Sequence, residues 1–258
     1  MKLPDTILFI LDFGKQFMDK IYEMKYHELE PSNWWFVSRR DAIYRFLLNT
    51  NTNAQILEIG CSGGQLLLLL ASKGFSNVYG IDVSNEAISR CNKMGIKNVS
   101  VMDGTKTSFR DNTFNIIVAS DVLEHINDQN AALSEWKRIL RPGGTLILFV
   151  PAFMFLWSGH DEVNHHFRRY SLKQLNGLLR FSGFKIIRSS YWNFSLFFPI
   201  LVLRLIDKTL KRKSTRGLYA LHPLLNALFI KLLSLENSFL KKLSFPFGVS
   251  VFAIVKKV

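Results

Sequence analysis

The sequence predicts an α/β protein built on an open, doubly wound parallel sheet. Three observations carry this. Short apolar runs of strand length alternate with helical stretches through the middle of the chain, which implies parallel strands joined by right-handed helical crossovers. The run from Ile56 to Gly64, Ile-Leu-Glu-Ile-Gly-Cys-Ser-Gly-Gly, breaks into a small-residue turn and passes at once into the helical residues 65–71. Acids stand at the ends of three successive runs, as Glu58, Asp82 and Asp103, and ligands of open α/β sheets bind at the carboxyl ends of strands.

Taken in order, residues 5–24 read as an amphipathic helix, with Leu8, Leu11, Phe17 and Ile21 broadly on one face. The apolar core at 7–11 is short, is flanked by Asp5 and Asp12, and lacks a small-residue cleavage site, so it is no signal peptide; the helix is expected to cap the domain. Residues 26–40 carry Glu28, Trp34, Trp35, Phe36, Arg39 and Arg40 just before a helix running to about Leu48. Two adjacent tryptophans ahead of an arginine pair cannot all face a core, so some should line a groove or lid. Strands are expected at 55–59, 78–82, 99–102, 114–120 and 145–150, with helices beginning near Gln65, Asn85, Asn127 and Ser171. Leu140-Arg141-Pro142-Gly143-Gly144 reads as a helix stop and a turn into the fifth strand. Residues 184–192 and 250–255 supply a sixth and a seventh strand.

The acids indicate the ligand. A dinucleotide fingerprint wants Gly-x-Gly-x-x-Gly, whereas here the third position is Ser62 and the glycines fall at 60, 63 and 64. Glu58 suits a ligand carrying an ammonium or sulfonium charge, Asp82 has the spacing of a carboxylate that holds ribose hydroxyls, and Asp103-Gly104 is placed for an adenine edge. A nucleoside with a cationic tail meets all three.

Ile56 to Gly64, Ile81-Asp82, Asp103-Gly104, Phe114 to Ile126 and Leu140 to Val150 resemble the successive motifs of class I S-adenosylmethionine-dependent methyltransferases, over roughly residues 34–192. The resemblance implies a Rossmann-like, seven-stranded sheet with an antiparallel last strand. It also implies that S-adenosylmethionine rests on Glu58, Gly60, Ser62, Gly64, Asp82, Val83, Asp103, Gly104 and Ser120. The aromatic segment before residue 40 is similar to that of ubiquinone-pathway O-methyltransferases and of sugar-cluster relatives, where it closes over the cofactor.

Methyl transfer from a sulfonium is an in-line displacement that needs alignment above all, and removal of a proton when the nucleophile is a hydroxyl. The family places the loop after the fourth strand, Ser120-Asp121-Val122-Leu123-Glu124-His125, beside the methyl group, which makes His125 the candidate base; Glu124-His125 also recurs in relatives as a structural pair at a helix start. The ubiquinone-pathway resemblance further implies a Glu-x-x-Glu-His sequence that holds a divalent ion. Asp121, Glu124 and His125 match it with Asp for the first Glu, but such clusters are common on helices, and the expectation is a site without metal. Residues 151–170 hold His160, Asp161, Glu162, His165, His166, Arg168, Arg169 and Tyr170 at no zinc-binding spacing. Arginine forks grip oxyanions at two points, so the expected acceptor site comprises Trp34, Trp35, Arg39, His160, Arg168, Arg169 and Tyr170 and takes an anionic head group.

The last third departs from the family, which joins strands six and seven by a tight turn; here residues 193–247 intervene. The apolar stretch 194–206, interrupted by Pro199 and Arg204, falls short of the roughly 20 residues a spanning helix needs. Lys208, Lys211, Arg212, Lys213 and Arg216 follow, then apolar 218–235 with Lys231 inside. Nine Lys or Arg face two acids in 193–247, so the insertion supplies +7 of the chain's +13. Together with 48% hydrophobic residues, this fits an interfacial helical hairpin on an anionic membrane. The alternative is helices packed on the domain or on a second subunit. Nucleic acid fits less well, because an Asn-Pro-Pro-Tyr-type sequence after the fourth strand and stacking aromatics among the lysines are both missing. Cys61 and Cys91 show no metal or disulfide spacing, which indicates a reducing compartment.

The reading is therefore N-terminal helices and an aromatic lid (1–50), a catalytic core (51–192 with 248–258), and a basic, apolar insertion (193–247). The expected activity is methyl transfer to an oxygen of a lipid-linked, prenyl or otherwise amphiphilic acceptor of glycan or quinone type, at the cytoplasmic face of the membrane. The rivals are a nucleic-acid methyltransferase and a non-catalytic membrane adaptor that binds the cofactor. The oligomeric state is left open.

Overall fold

A computed structural model of the chain describes residues 20–209 and 220–258. Among the described residues, seven strands form one sheet: β1 (Ile56–Ile59), β2 (Val78–Asp82), β3 (Val99–Val101), β4 (Phe114–Ser120), β5 (Leu140–Pro151), β6 (Phe184–Trp192) and β7 (Ser250–Lys257). Their order is β3-β2-β1-β4-β5-β7-β6, and β7 is antiparallel to both neighbours. The helices are α1 (Lys20–Leu29), α2 (Trp34–Leu47), α3 (Gln65–Ser72), α4 (Asn85–Lys93), α5 (Gln129–Ile139), α6 (Gly159–Val163), α7 (Leu172–Phe181), α8 (Phe197–Thr209) and α9 (Pro223–Phe239).

The central strands read as unbroken apolar runs because both faces of the sheet are covered. Leu57, Ile59, Ile117, Ala119, Leu146 and Leu148 pack with Trp136 of α5 and with Leu175 and Leu179 of α7. Alternate residues Ile56, Ile116, Val118, Ile147 and Phe149 pack on the other face with Ala42 and Ile43 of α2, Leu67 and Leu70 of α3 and Leu233 of α9. Side chains alternate along each strand, so a single run fills both layers. Ser84 caps α4 by accepting from the Ala87 amide, and Ser171 with Gln174 forms a capping box on α7.

Three expectations change. Trp34 and Arg39 lie inside α2 rather than ahead of it, with Asn33 as the cap accepting from the Trp35 amide. Residues 140–144 belong to β5, whose pairing with β4 shifts register between Phe114 and Ile116. The irregularity takes up Pro142 and Gly143, where φ is +72°. The first described helix is α1, and the part of the 5–24 expectation before residue 20 lies outside the described residues, as do Lys211, Arg212, Lys213 and Arg216.

The insertion yields α8 and α9, and α9 is fastened to the domain along one side. Asn237 accepts from Trp192 Nε1 at 2.8 Å and donates to the Ser38 carbonyl at 2.9 Å and to Asp41 at 2.8 Å. The Glu236 carboxylate accepts from the amides of Phe194 and Ser195 at 3.0 and 2.9 Å, which ties α9 to the entry of α8. The outer sides of both helices remain apolar and exposed. No described helix is long and apolar enough to cross a membrane.

Candidate active site

The strand ends β1, β2, β3 and β4 open onto a cleft of about 1080 Å³. Gly60, Ser62, Asp82, Val83, Asp103, Gly104 and Ser120 all line it. The turn after β1 needs left-handed backbone at Gly60 (φ +71°), Ser62 (φ +48°) and Gly64 (φ +78°). A Cβ at Gly60 would lie 2.5 Å from Val122 Cγ2, so the glycine lets the loop after β4 approach the ligand turn. Gly64 sits behind the cleft wall, where a Cβ would meet Ile96 and Cys91; it starts α3 rather than touching ligand.

Asp82 organises two loops at once. Its Oδ2 accepts from the Ser62 amide and its Oδ1 from the Ser84 amide, both at 2.9 Å. Burial raises the carboxyl, and the two amide bonds pull it back. Asp103 accepts from the Thr105 amide and hydroxyl at 2.7 and 2.8 Å, which fixes its carboxylate at the edge of the cleft. Glu58 faces a side cavity of about 50 Å³ that shares Gly60, Ser62 and Ser120 with the main cleft. Its Oε2 is buried without a hydrogen-bond partner. Burial, then nearby Glu30, raises its carboxyl well above the usual range. Arg40 opposes these only in part, and a ligand ammonium would complete the compensation.

Helix α1 and Glu30 just after it contribute residues that the sequence reading missed. Glu30 Oε2 accepts from the Gly63 amide and the Ser62 hydroxyl, both at 3.2 Å, and His27 Nδ1 lies 3.3 Å from that hydroxyl. The Ser84 hydroxyl donates to Glu23. Glu23, His27 and Glu30 stand at i, i+4 and i+7, the spacing of one helix face, and that pattern was visible in the chain. Arg40 donates to the carbonyls of Glu30 and Pro31 and holds the turn between α1 and α2.

The other end of the cleft is apolar. Trp34 and Trp35, both half-buried, line it, Trp34 edge-on to Phe229 and Trp35 edge-on to Trp192. Leu196, Pro199, Ile200 and Leu203 of the α8 region complete the wall. Between the two ends stand Glu124, His125, His160, His166 and Arg169.

The polar residues of this middle zone are tied to one another. Arg169 Nε and Nη2 donate to the two oxygens of Asp161 at 2.7 and 3.0 Å, and His166 Nδ1 lies 2.8 Å from Asp161 Oδ1. Burial works against the Asp161 charge, but His166 and Arg169 hold its carboxyl well below the usual range. Burial, and then neighbouring His166, lowers His125 to about 3; burial and Arg204 do the same to His160. Both imidazoles are neutral at physiological pH.

Three of the expected acceptor residues are placed otherwise. Arg39 is buried behind the cleft, its guanidinium 4.2 Å from the Trp192 ring centroid and 4.3 Å from that of Phe149, and it pairs with Asp121 at 3.2 Å. It anchors the loop after β4 and does not reach the acceptor end. Arg168 donates to the Asn127 carbonyl at 2.9 Å, and buried Tyr170 donates to Gln129 at 3.0 Å; neither lines the cleft. Arg169 does line it, with its charge already met by Asp161.

The triplet that stands as the alternative to a site without metal, Asp121, Glu124 and His125, does not come together as such. Asp121 turns to Arg39 and Ser120, whereas Glu124, His125 and His166 bring ligand atoms within 4.8 Å of one another. Both Glu124 oxygens are buried without hydrogen-bond partners, so this trio, and not the sequence triplet, has the donor set for a divalent cation.

Residues 57–148 match the family model described as "Methyltransferase domain". A probable S-adenosylmethionine-dependent methyltransferase of Mycolicibacterium smegmatis is 27% identical over 162 residues, covering 61% of this chain and 62% of the relative. A ubiquinone biosynthesis O-methyltransferase of Hahella chejuensis is 25% identical, covering 52% of this chain and 56% of the relative. An O-methyltransferase of Aspergillus nomiae is 30% identical, covering 54% of this chain and 68% of the relative. The chain thus spans about three fifths of the length of the bacterial relatives. In fold it is similar to an S-adenosylmethionine-dependent methyltransferase of Archaeoglobus fulgidus, with TM-score 0.58, 17% identity and coverage of 93% and 100%. It is equally similar to the [4+2]-cyclase SpnF, with TM-score 0.56, 18% identity and coverage of 85% and 81%. Fold likeness at that distance does not distinguish reactions. The matched family model, the Aspergillus relative and the strand-end acids together place the chain in the S-adenosylmethionine-dependent methyltransferase family.

Proposed function

We propose that the protein transfers the methyl group of S-adenosylmethionine to an oxygen of an amphiphilic acceptor. The observation that supports this best is the two-ended cleft, which runs from the acids at the ends of β2 and β3 to the apolar wall of Trp34, Trp35, Ile200, Leu203 and Phe229. The nucleoside takes the acidic end, with its ammonium toward Glu58. An acceptor with a hydrocarbon part takes the other, and its oxygen meets the methyl group near His125.

His125 is the candidate base, and its depressed value shapes the role. The neutral form that accepts a proton is present across pH 5–8, yet a weak base removes protons well only from acidic hydroxyls. A phenol- or enol-type oxygen therefore suits the site better than an aliphatic alcohol. Glu124, His125 and His166 together would hold a divalent cation, which would polarise the acceptor oxygen; His125 would then serve as ligand in place of base.

Labelled-donor assays of wild type and His125→Ala against phenolic, enolic and alcoholic amphiphiles test the reading. The expected loss in turnover is about 10²- to 10⁴-fold, with affinity for S-adenosylhomocysteine retained. Unchanged turnover in the variant would remove His125 from the mechanism. Absence of methyl transfer to any oxygen acceptor, with cofactor binding intact, would favour the adaptor reading.

A further inference from the structure

Helix α8 is apolar on two sides, one facing the open cleft and the other facing away from it. Pro199, Ile200, Leu203 and Arg204 line the cleft. Phe198, Val202 and Leu205, at i, i+4 and i+7, form a stripe on the outside, and Phe198 is 59% exposed. The turn after β5 adds exposed Met154 and Phe155, with the Phe155 ring 6.5 Å from that of Phe197 at the start of α8. On the opposite lip, Leu221 and Phe229 line the cleft, while Leu224, 77% exposed, and Leu228 point outward from the first turns of α9. Large apolar side chains are therefore concentrated on the outer surface at the acceptor end of the cleft, the kind of exposed apolar surface that marks an interaction site.

Charge identifies what covers them. Lys208 at the end of α8, Lys231 on α9, and Lys241 and Lys242 just after it are all exposed. The insertion carries +7 overall, an excess that a second copy of the same face would repel. An anionic bilayer accepts both parts, apolar side chains below the head groups and lysines among them.

We infer that the outer face of α8, the Met154–Phe155 turn and the first turns of α9 form a lipid-docking surface, from which the acceptor passes along the inner side of α8 into the cleft without leaving the bilayer. This rests on the methyltransferase reading and names where its acceptor comes from. Reaction rate then depends on acceptor density in the membrane, and not on bulk acceptor concentration.

The test uses the full chain and vesicles of phosphatidylcholine alone or with one quarter phosphatidylglycerol, with no acceptor added. Wild type is expected to co-sediment with the anionic vesicles and to lose about fivefold in partition for each lysine neutralised, as in Lys208→Gln, with the effect fading in high salt. Phe198→Glu with Val202→Glu should lower partition at least about tenfold while S-adenosylhomocysteine affinity stays at the wild-type value, which reports that the variant is folded. Equal partition of wild type and this double variant would overturn the inference. So would a dimer in ultracentrifugation that the double variant disrupts without any vesicle binding, because the face would then belong to a second copy. Failure to bind S-adenosylhomocysteine would instead strike the methyltransferase reading, and the vesicle result would stand apart from it.

Discussion

Replacing Glu58 by Gln should stabilise the protein and weaken its ligand binding. Glu58 is 8% exposed, and its Oε2 is buried without a hydrogen-bond partner. Burial and the Glu30 carboxylate raise it, and Arg40 only partly opposes them. The folded value lies above the unfolded one, so the contribution of Glu58 is full below the unfolded value of 4.5 and is lost as pH rises through the folded value. Glutamine matches the protonated acid in shape and does not titrate. The stability difference between variant and wild type should then start near zero at pH 4 and grow by at most about 1.4 kcal/mol per pH unit. It should level off once Glu58 is ionised in the folded protein, at about 1–3 kcal/mol, the ordinary cost of an unsatisfied buried polar group. The same change removes the partner of the ligand's ammonium, worth about 1.5–3 kcal/mol, or roughly 10- to 150-fold in affinity. Urea unfolding from pH 4 to 8 and calorimetric titration with S-adenosylhomocysteine measure both effects. A variant less stable than wild type at pH 7.5, or one that binds as tightly, would refute the reasoning.

Other predictions follow from the same geometry. Gly64→Ala forces a Cβ to 2.4 Å from Ile96 Cδ1 at a φ of +78° and should cost about 2–5 kcal/mol, read as a lower urea midpoint. Arg169→Ala takes the two-point guanidinium away from buried Asp161, which keeps only His166 and the Ser158 donors, and should cost about 3–5 kcal/mol, whereas Arg168→Ala should stay within about 0.5 kcal/mol; thermal unfolding separates them. The folded value of His160 is depressed to about 3, so the unfolded chain takes up a proton there first. Relative to His160→Gln, wild type should lose up to about 1.4 kcal/mol per pH unit as pH falls from 6.5 toward 4, and parallel curves would contradict the burial of that ring.

Much of this was legible in the chain because strand-and-helix alternation and glycine turns are local signals. β2, β4 and β6 begin and end where their apolar runs do, and Asp82 and Asp103 sit at strand ends as their position in those runs requires. Long-range pairing was hidden. Nothing near Arg168-Arg169-Tyr170 announces that Asp161 takes up Arg169 while Asn127 and Gln129 take the other two. Arg39 reads as an acceptor contact because its neighbours are tryptophans, and Trp35 does lie against it, but the two nearer rings come from β5 and β6, more than a hundred residues away, and bury it behind the cleft. The Glu124–His125–His166 trio likewise needed two loops to meet. The α1 clamp was readable from the spacing of Glu23, His27 and Glu30, but its meaning depends on the glycine turn it covers.

The most direct test of the account is calorimetric titration of wild type and Asp82→Ala with S-adenosylhomocysteine. Asp82 already holds the Ser62 and Ser84 amides, and the account gives its carboxylate to the ribose as well. Wild type should bind, and the variant should bind about 100-fold more weakly or not at all, since two hydrogen bonds to a charged group are lost. Folded wild type that binds no S-adenosylhomocysteine, or a variant that binds it equally well, would contradict the assignment of this cleft to the cofactor.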